Sequence, residues 1–511
     1  FVVHGEALFL VGTGGYRMRK KLKTLAALVE GAVITGDPDT MVSDLVQDSR
    51  EVRRGAMFVA MDGAHVDGHA FIPAAVKKGA AAILTEREID PLPGVAVLRV
   101  PSLEAALPIL VPFFWDYPGR TLRLIGITGT NGKTTTSYLI RAILREAGKK
   151  TGLIGTIQTL IEDEKIPAHN TTPNVVDLQR LLARMVEEGM EYAVMEVSSH
   201  ALDQNRVAGC AFDTAVFTNL TQDHLDYHGT MESYRAAKEK LFRSLTAGEK
   251  PGKTAVVNVD DPAGASMLAA AEADHITYAV AAEDAELRAV EVRLFASGAD
   301  FAVQGGFGRL KLHLKVTGLF NVYNVLGAVG AALAENIPLS AVEKALTEFP
   351  GVPGRFELVD CGQPFAVVVD YAHTPDGLEN ILKAARQITP HHIITVFGCG
   401  GDRDKTKRPL MGRIAAALSD AVIVTSDNPR SEDPSVIVEE VMAGVRETIG
   451  VKAVEAILER REAIFVAIAM AQPGDTVVIA GKGHEDYQIL KEETIHFDDR
   501  EVAREALGGM A

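Results

Sequence analysis

The chain has 511 residues, a net charge of −16 at pH 7 and a hydrophobic fraction of 47%. That length and apolar content imply roughly two to four domains with sizeable cores. The acidic balance excludes a general nucleic-acid binder, so anionic ligands must meet local Lys and Arg clusters.

No apolar run reaches the length of a membrane span. Cys210, Cys361 and Cys399 stand too far apart for a metal-site pattern, which suits a reducing cytoplasm. FVVHGEALFLVGTGGYR precedes Met18, where MRKKLKTLAALVEGA reads as a natural start. The preceding segment has an apolar patch but no basic region, and Glu6 and glycines interrupt it. It is a poor signal peptide and reads as an extension, residues 1–17, of no inferable function.

Three blocks follow, and all predict α/β architecture. Residues 1–118 carry apolar runs at Ala81 to Leu84 and Val95 to Val100, then a helical segment from Leu103 to Trp115 that Pro118-Gly119 ends. Residues 119–350 carry β-type runs at Leu122 to Ile127, Tyr192 to Val197, Ala215 to Thr218 and Ala255 to Val259. Helical spacing lies between them, which predicts a mainly parallel sheet with helices on both faces. Residues 351–511 repeat the alternation with runs at Phe365 to Val369, Ile393 to Phe397, Ala421 to Val424 and Thr476 to Ile479, a doubly wound domain. Polar clusters sit just after the strands of the second and third blocks. Open α/β sheets bind ligands outside the carboxyl ends of their strands, so a cleft between these blocks is the expected site.

The sharpest cluster is GITGTNGKTTT, Gly126 to Thr136, between a strand and a helix. Strand, glycine-rich turn, Lys, Thr and helix is the layout of a phosphate-binding loop, with Gly129 and Gly132 letting backbone N–H groups close on phosphate oxygens. Lys133 supplies positive charge and the Thr134 hydroxyl can ligate Mg²⁺. The strict GxxxxGK[ST] spacing is not met, because its first Gly falls at Ile127; an ordinary strand–helix turn is the plain alternative. Glu196 ends a strand as an acid that could share Mg²⁺ with Thr134, or merely cap a helix. Asp223 and His224 stand in DHLDYH. Lys238, in YRAAKEKLF, taken alone reads as a solvated helix lysine. Arg403 and Arg430 follow strands of the third block. With Gly481, His484 and Glu485 they would form a pocket of both charge signs, suited to a zwitterionic amino acid.

GTNGKTT, NTTP, EVSSHAL, TNLTQDHLDYHG, GLFNVYN, GRFE, DYAHTPDGLE, FGCGGDRDKTKRPLMG, DNPR and GKGHEDYQ occur in this order. The ordered set resembles the Mur ligases over nearly the whole chain after Met18, and within them the branch that adds meso-diaminopimelate. The resemblance implies a uridine-binding first domain, a central P-loop ATPase-like domain and a Rossmann-like C-terminal domain. It places the UDP end at Ser49 and Ala64-His65-Val66, although Gln47 stands before DSR where Leu is common. It places the sugar–dipeptide at Asn170, Thr171, Thr172, Ser198, Gln204 and Arg206. ATP would lie on Gly129, Thr130, Asn131, Gly132, Lys133, Thr134 and Thr135, with Asn321, Asn324, Arg355 and Asp370 nearby. Lys238 matches the family's carbamylated lysine, which would join His224 at a second Mg²⁺. Diaminopimelate would meet Arg403, Asp427, Asn428, Pro429, Arg430, Gly481 and Glu485.

The implied reaction is ATP-dependent amide formation through an acyl phosphate, in a cytoplasmic monomer whose partners are small molecules only. The catalytic set is then Lys133, Glu196, His224 and Lys238. Two alternatives stay open: the same chemistry with L-lysine or a folylpolyglutamate-type acceptor, and a non-enzymatic nucleotide-binding module.

Overall fold

The computed structural model describes residues 18–62, 67–168, 170–245, 250–448 and 453–508. The extension before Met18 and Ala64-His65-Val66 lie outside these residues. Three large sheets organise the chain.

The first has strand order Val33–Thr35, Ala96–Arg99, Ala82–Thr85, Ala56–Val59, Asp44–Val46, parallel except for the first pair. Ser102 caps the helix Leu103–Phe114, accepting from Ala105 N at 3.2 Å. That helix buries Leu103, Leu107, Leu110 and Phe114 against the sheet. Pro118 does more than end this region. It opens a short helix, Pro118–Thr121, where its missing N–H costs nothing.

The central sheet has eleven strands. Parallel strands run from Thr151–Ile154 through Tyr192–Glu196, Arg123–Thr128, Phe212–Phe217, Thr254–Asn258 and Asp274–Ala279 to Leu287–Phe295. Antiparallel strands flank both ends, Gln158–Ile161 with Glu164–Pro167 on one and Gly298–Gly305 with Gly308–Leu314 on the other. The middle strands are mostly apolar because both faces are covered. Lys133–Glu146 and Leu319–Ala334 pack on one face through Leu139, Ile143, Val325 and Val329. Val175–Glu187 and Met231–Arg243 pack on the other through Leu178, Leu182, Leu241 and Phe242. The phosphate-loop strand Arg123–Thr128 lies where the strand order reverses, between Tyr192–Glu196 and Phe212–Phe217.

The third sheet has order Glu357–Leu358, Ala366–Asp370, Thr476–Ala480, Ile393–Phe397, Ala421–Val424, Ala453–Ala456, parallel except at Glu357–Leu358. Helices Pro375–Ile388, Lys407–Leu418 and Pro434–Arg446 cover one face, Arg460–Met470 and Asp499–Gly508 the other. Among the described residues no helix is long and apolar enough to cross a membrane.

Candidate active site

The loop between Thr128 and the helix Lys133–Glu146 closes tightly because two glycines allow it. Gly129 has φ 153° and Gly132 φ 85°. A Cβ would lie 1.9 Å from Thr218 Oγ1 at the first and 2.3 Å from Asn324 Oδ1 at the second. The helix N-terminus has no side-chain cap, so its first N–H groups stay open to an anion. Lys133 Nζ donates to Gly129 O at 2.9 Å and Thr130 O at 2.8 Å, and desolvation lowers its pKa against the pull of Glu196.

Thr134 Oγ1 donates to Glu196 Oε2 at 2.9 Å. Glu196 is fully buried and also accepts from Thr156 N and Thr156 Oγ1, both at 2.9 Å. A hydroxyl and a buried carboxylate beside a phosphate loop are hard oxygen donors, the chemistry Mg²⁺ takes.

Lys238 is not solvated. It is 1% exposed, donates to Gly129 O at 2.8 Å and lies 4.3 Å from the Tyr234 ring centroid. Burial, then Lys133, holds its pKa well below the ordinary lysine range. Two lysines therefore converge on one carbonyl. His224 sits in the left-handed region at φ 54°, its ring 4.8 Å from that of His200 and 6.0 Å from Tyr234. Burial pushes His224 down and His200 down to about 4. The reading of the sequence missed His200 and His228, whose rings lie 5.4 Å apart. Their signal was the polar run after each strand, SSHAL and DHLDYH.

Between the central and third sheets lies a cavity of about 460 Å³. Asn131, Gly132, Thr135 and Asn324 form its floor, Leu319, Phe320 and Ile381 its apolar wall, and Arg355, Asp370 and Tyr371 its third side. Arg355 Nη2 reaches Thr134 Oγ1 at 3.4 Å and its guanidinium covers the Tyr371 ring. Asp370 accepts from Phe356 N at 2.7 Å and Ala372 N at 2.8 Å, and burial raises its pKa. Asn321 stands one step behind the wall, where its Oδ1 accepts from Asn324 Nδ2 at 3.2 Å.

A second cavity, about 480 Å³, lies between the first sheet and the central one, lined by Gln47, Asp62, His69, Arg87, Leu107, Asn170, Gln204 and Arg206 among others. Gln47 is on this lining, and Ser49, on the turn two residues on, is not. Arg206 Nε and Nη2 donate to Gln204 Oε1 at 2.9 and 2.7 Å, and Nη1 to Thr172 O at 3.1 Å. Thr172 Oγ1 in turn donates to Glu196 O at 2.9 Å and accepts from Ser198 N at 3.0 Å. The Thr171 and Thr156 hydroxyls are 3.1 Å apart. This chain of contacts joins the two cavities.

The third-sheet loops bring the remaining residues together. Arg430, at φ 54°, donates from Nη1 to Gly401 O at 2.8 Å. A Cβ on Gly400 would lie 2.9 Å from that nitrogen, and one on Gly401 1.9 Å from Pro429 O. Arg403 is exposed and donates to Asp402 O at 2.9 Å. Gly481 lies against Asp427, with Oδ2 only 2.7 Å from where a Cβ would be. Asn428 Nδ2 donates to Glu485 Oε2 at 3.0 Å. Lys482, fully buried and unforeseen, donates to both Asn428 Oδ1 and Glu485 Oε2 at 3.2 Å. Fully buried Arg408 pairs with Glu432 at 2.9 Å and ties the two arginine loops together. His484 does not join this group. Its ring packs on Tyr371, centroids 4.8 Å apart, at the edge shared with Arg355, and burial pushes it down to about 3.

Family models described as "Mur ligase family, catalytic domain", "Mur ligase middle domain" and "Mur ligase, glutamate ligase domain" match residues 42–111, 127–332 and 354–483. A UDP-N-acetylmuramoyl-L-alanyl-D-glutamate–2,6-diaminopimelate ligase of Bacillus licheniformis is 47% identical over 96% of this chain and 99% of its own. A relative of the same description from Geobacillus thermodenitrificans is 48% identical over 95% and 99%. A solved structure under that description superposes with a TM-score of 0.67 at 33% identity, covering 96% of this chain and 99% of its own.

Proposed function

The chain belongs to the Mur ligase family, and from that premise we propose that it joins meso-diaminopimelate to UDP-N-acetylmuramoyl-L-alanyl-D-glutamate, with ATP, through an acyl phosphate. It is an amide-forming ligase of peptidoglycan precursor synthesis. The observation that carries this reading is the position of Glu196 between the two cavities. Its carboxylate accepts from Thr134 of the phosphate loop, and its carbonyl accepts from Thr172, which holds Arg206 of the second cavity. A substrate carboxylate laid through the second cavity thus approaches the phosphate end of the first.

A carboxylate is a poor electrophile, and phosphorylation supplies the leaving group that an amine can displace. The protein's share is to position the groups, neutralise charge and exclude water. Lys133 and the helix N-terminus meet the triphosphate. Thr134 and Glu196 would hold Mg²⁺, and His224 with a carbamylated Lys238 a second. When bound, Mg²⁺ supplies charge neutralisation at the phosphates. The low pKa of Lys238 supports this modification, because the neutral amine is the form that reacts with CO₂. Arg403 and Arg430, with Glu485 and Asp427, would take the carboxylates and an ammonium of diaminopimelate.

The domains divide near residues 118 and 350, and the protein acts as a cytoplasmic monomer. Phosphate release across a panel of amino acids tests the reading. Release that depends on diaminopimelate supports it. Equal release with L-lysine would overturn the choice of acceptor, and no release with any amino acid would leave only a nucleotide-binding module.

A further inference from the structure

Asp376 lies in the first turn of Pro375–Ile388, a helix of the third sheet, yet it bonds to the central one. Its Oδ2 accepts from Asn131 Nδ2 at 2.7 Å and from Thr221 Oγ1 at 2.8 Å. Asn131 belongs to the phosphate loop and Thr221 to the loop after Phe212–Phe217. An acid in a first turn ordinarily serves its own helix dipole. Here the cap is already supplied by Thr374, whose Oγ1 accepts from Gly377 N at 3.1 Å. A carboxylate at the rim of a phosphate loop also opposes an anionic ligand, so phosphate contact does not account for it.

Asn131 is gripped from both sides. Its N–H donates to Asn219 Oδ1 at 2.9 Å and its carbonyl accepts from Thr218 Oγ1 at 2.6 Å, both within the central sheet's loops. Only its side chain is held from the third sheet. The 460 Å³ cavity is walled from both sheets, by Asn131, Gly132 and Thr135 on one side and Tyr371 and Ile381 on the other. Its nucleotide-sized shape therefore exists only while the two are docked.

We propose that Asp376 is a positioning residue: it docks the third domain onto the phosphate loop and so sets the affinity for nucleotide. The inference rests on the nucleotide reading of the loop, but not on the identity of the acceptor amino acid. Both donors meet the same oxygen, so Asp376→Asn can keep both bonds through its Oδ1, whereas Asp376→Ala loses both.

The test is calorimetric ADP binding, together with the KM for ATP, in Asp376→Ala, Asp376→Asn, Thr221→Val and the Asp376→Ala/Thr221→Val double variant. Asp376→Ala is expected to weaken ADP and raise the KM for ATP at least tenfold, with a smaller change in kcat. Asp376→Asn should stay within about threefold of wild type. The double variant should bind no worse than Asp376→Ala, because the two act through one contact. Wild-type affinity in Asp376→Ala, or additive losses in the double variant, overturns the proposal. If Asp376→Ala does not fold, Thr221→Val decides: a several-fold loss of ADP affinity supports docking, and none overturns it. A wild-type protein that binds no ADP would instead remove the nucleotide reading itself, and this inference with it.

Discussion

The Thr134 hydroxyl donates to Glu196 Oε2 at 2.9 Å, joining the phosphate loop to the end of the neighbouring strand across 62 residues of sequence. The carboxylate has no exposed surface. Glu196 takes three donors, so its loss leaves the Thr134 hydroxyl and both Thr156 groups without their acceptor.

Glu196→Ala and Lys133→Ala should therefore abolish acyl phosphate formation as well as product, each by about 100-fold or more. Arg403→Ala should spare the first half-reaction, since that side chain lies on the exposed third-sheet loop. Borohydride trapping of the acyl phosphate in each variant separates the two classes. Wild-type trapping in Lys133→Ala would refute the role given to that lysine.

Lys238→Ala should lose most activity, and Lys238→Arg should not restore it. Lys238 lies beside Lys133 on one carbonyl, so a permanent second cation there adds like-charge repulsion. Acetate should partly rescue the Ala variant by filling the anion position. Full activity in Lys238→Arg at saturating Mg²⁺ would rule out the carbamate.

Acceptor choice should depend on Arg430, whose guanidinium is aimed by Gly401 O. Diaminopimelate has a distal carboxylate that L-lysine lacks, and leaving a partly buried cation unpaired costs about 2–5 kcal/mol. Arg430→Ala should narrow the preference between the two amino acids, and Arg430→Lys should only partly keep it. Comparing kcat/KM for both acceptors checks this; an unchanged ratio in Arg430→Ala would count against it.

His484 gives a pH dependence with a definite sign. Burial first, then Arg355 and Arg500, pushes it down to about 3. The unfolded chain binds a proton near pH 6.5 that the folded chain refuses until about pH 3. This contribution to stability is complete above pH 6.5 and is lost as pH falls through that window. At pH 5 the loss is on the order of 1–2 kcal/mol. His484→Phe, which keeps the packing on Tyr371 and removes the unpartnered Nδ1, should lose less Tm between pH 7 and 5 than wild type. Parallel Tm profiles would show that the ring does not titrate as described.

Much of the fold was legible because the middle strands are apolar on both faces. Arg123–Thr128 and Tyr192–Glu196 announce themselves as continuous runs with polar clusters at their ends. The flanking hairpins were not legible. Leu287–Phe295 is buried only at Leu287 and Ala289 and exposes Glu291, Arg293 and Phe295, so no apolar run marks it. The phosphate loop could be read because its chemistry is local: glycines, Lys133 and Thr134 work within a few residues of one another.

What the sequence by itself determined was the identity of these local devices and the succession along the chain of the strands that carry them. Only the tertiary structure decided which devices meet. Taken alone Lys238 reads as a surface lysine; the family resemblance gave it a role at a second Mg²⁺, and the packing of its helix sets it on Gly129 O. Asp376 reads as a helix-end acid until the third sheet docks and turns it onto Asn131. Lys482 stays an unremarked loop residue until Glu485 and Asn428 close over it. The reason is physical: hydrophobic pattern fixes which face of an element is buried, but not what a polar group at its end will face. That partner is chosen by the packing of whole sheets, over separations that no window of sequence contains.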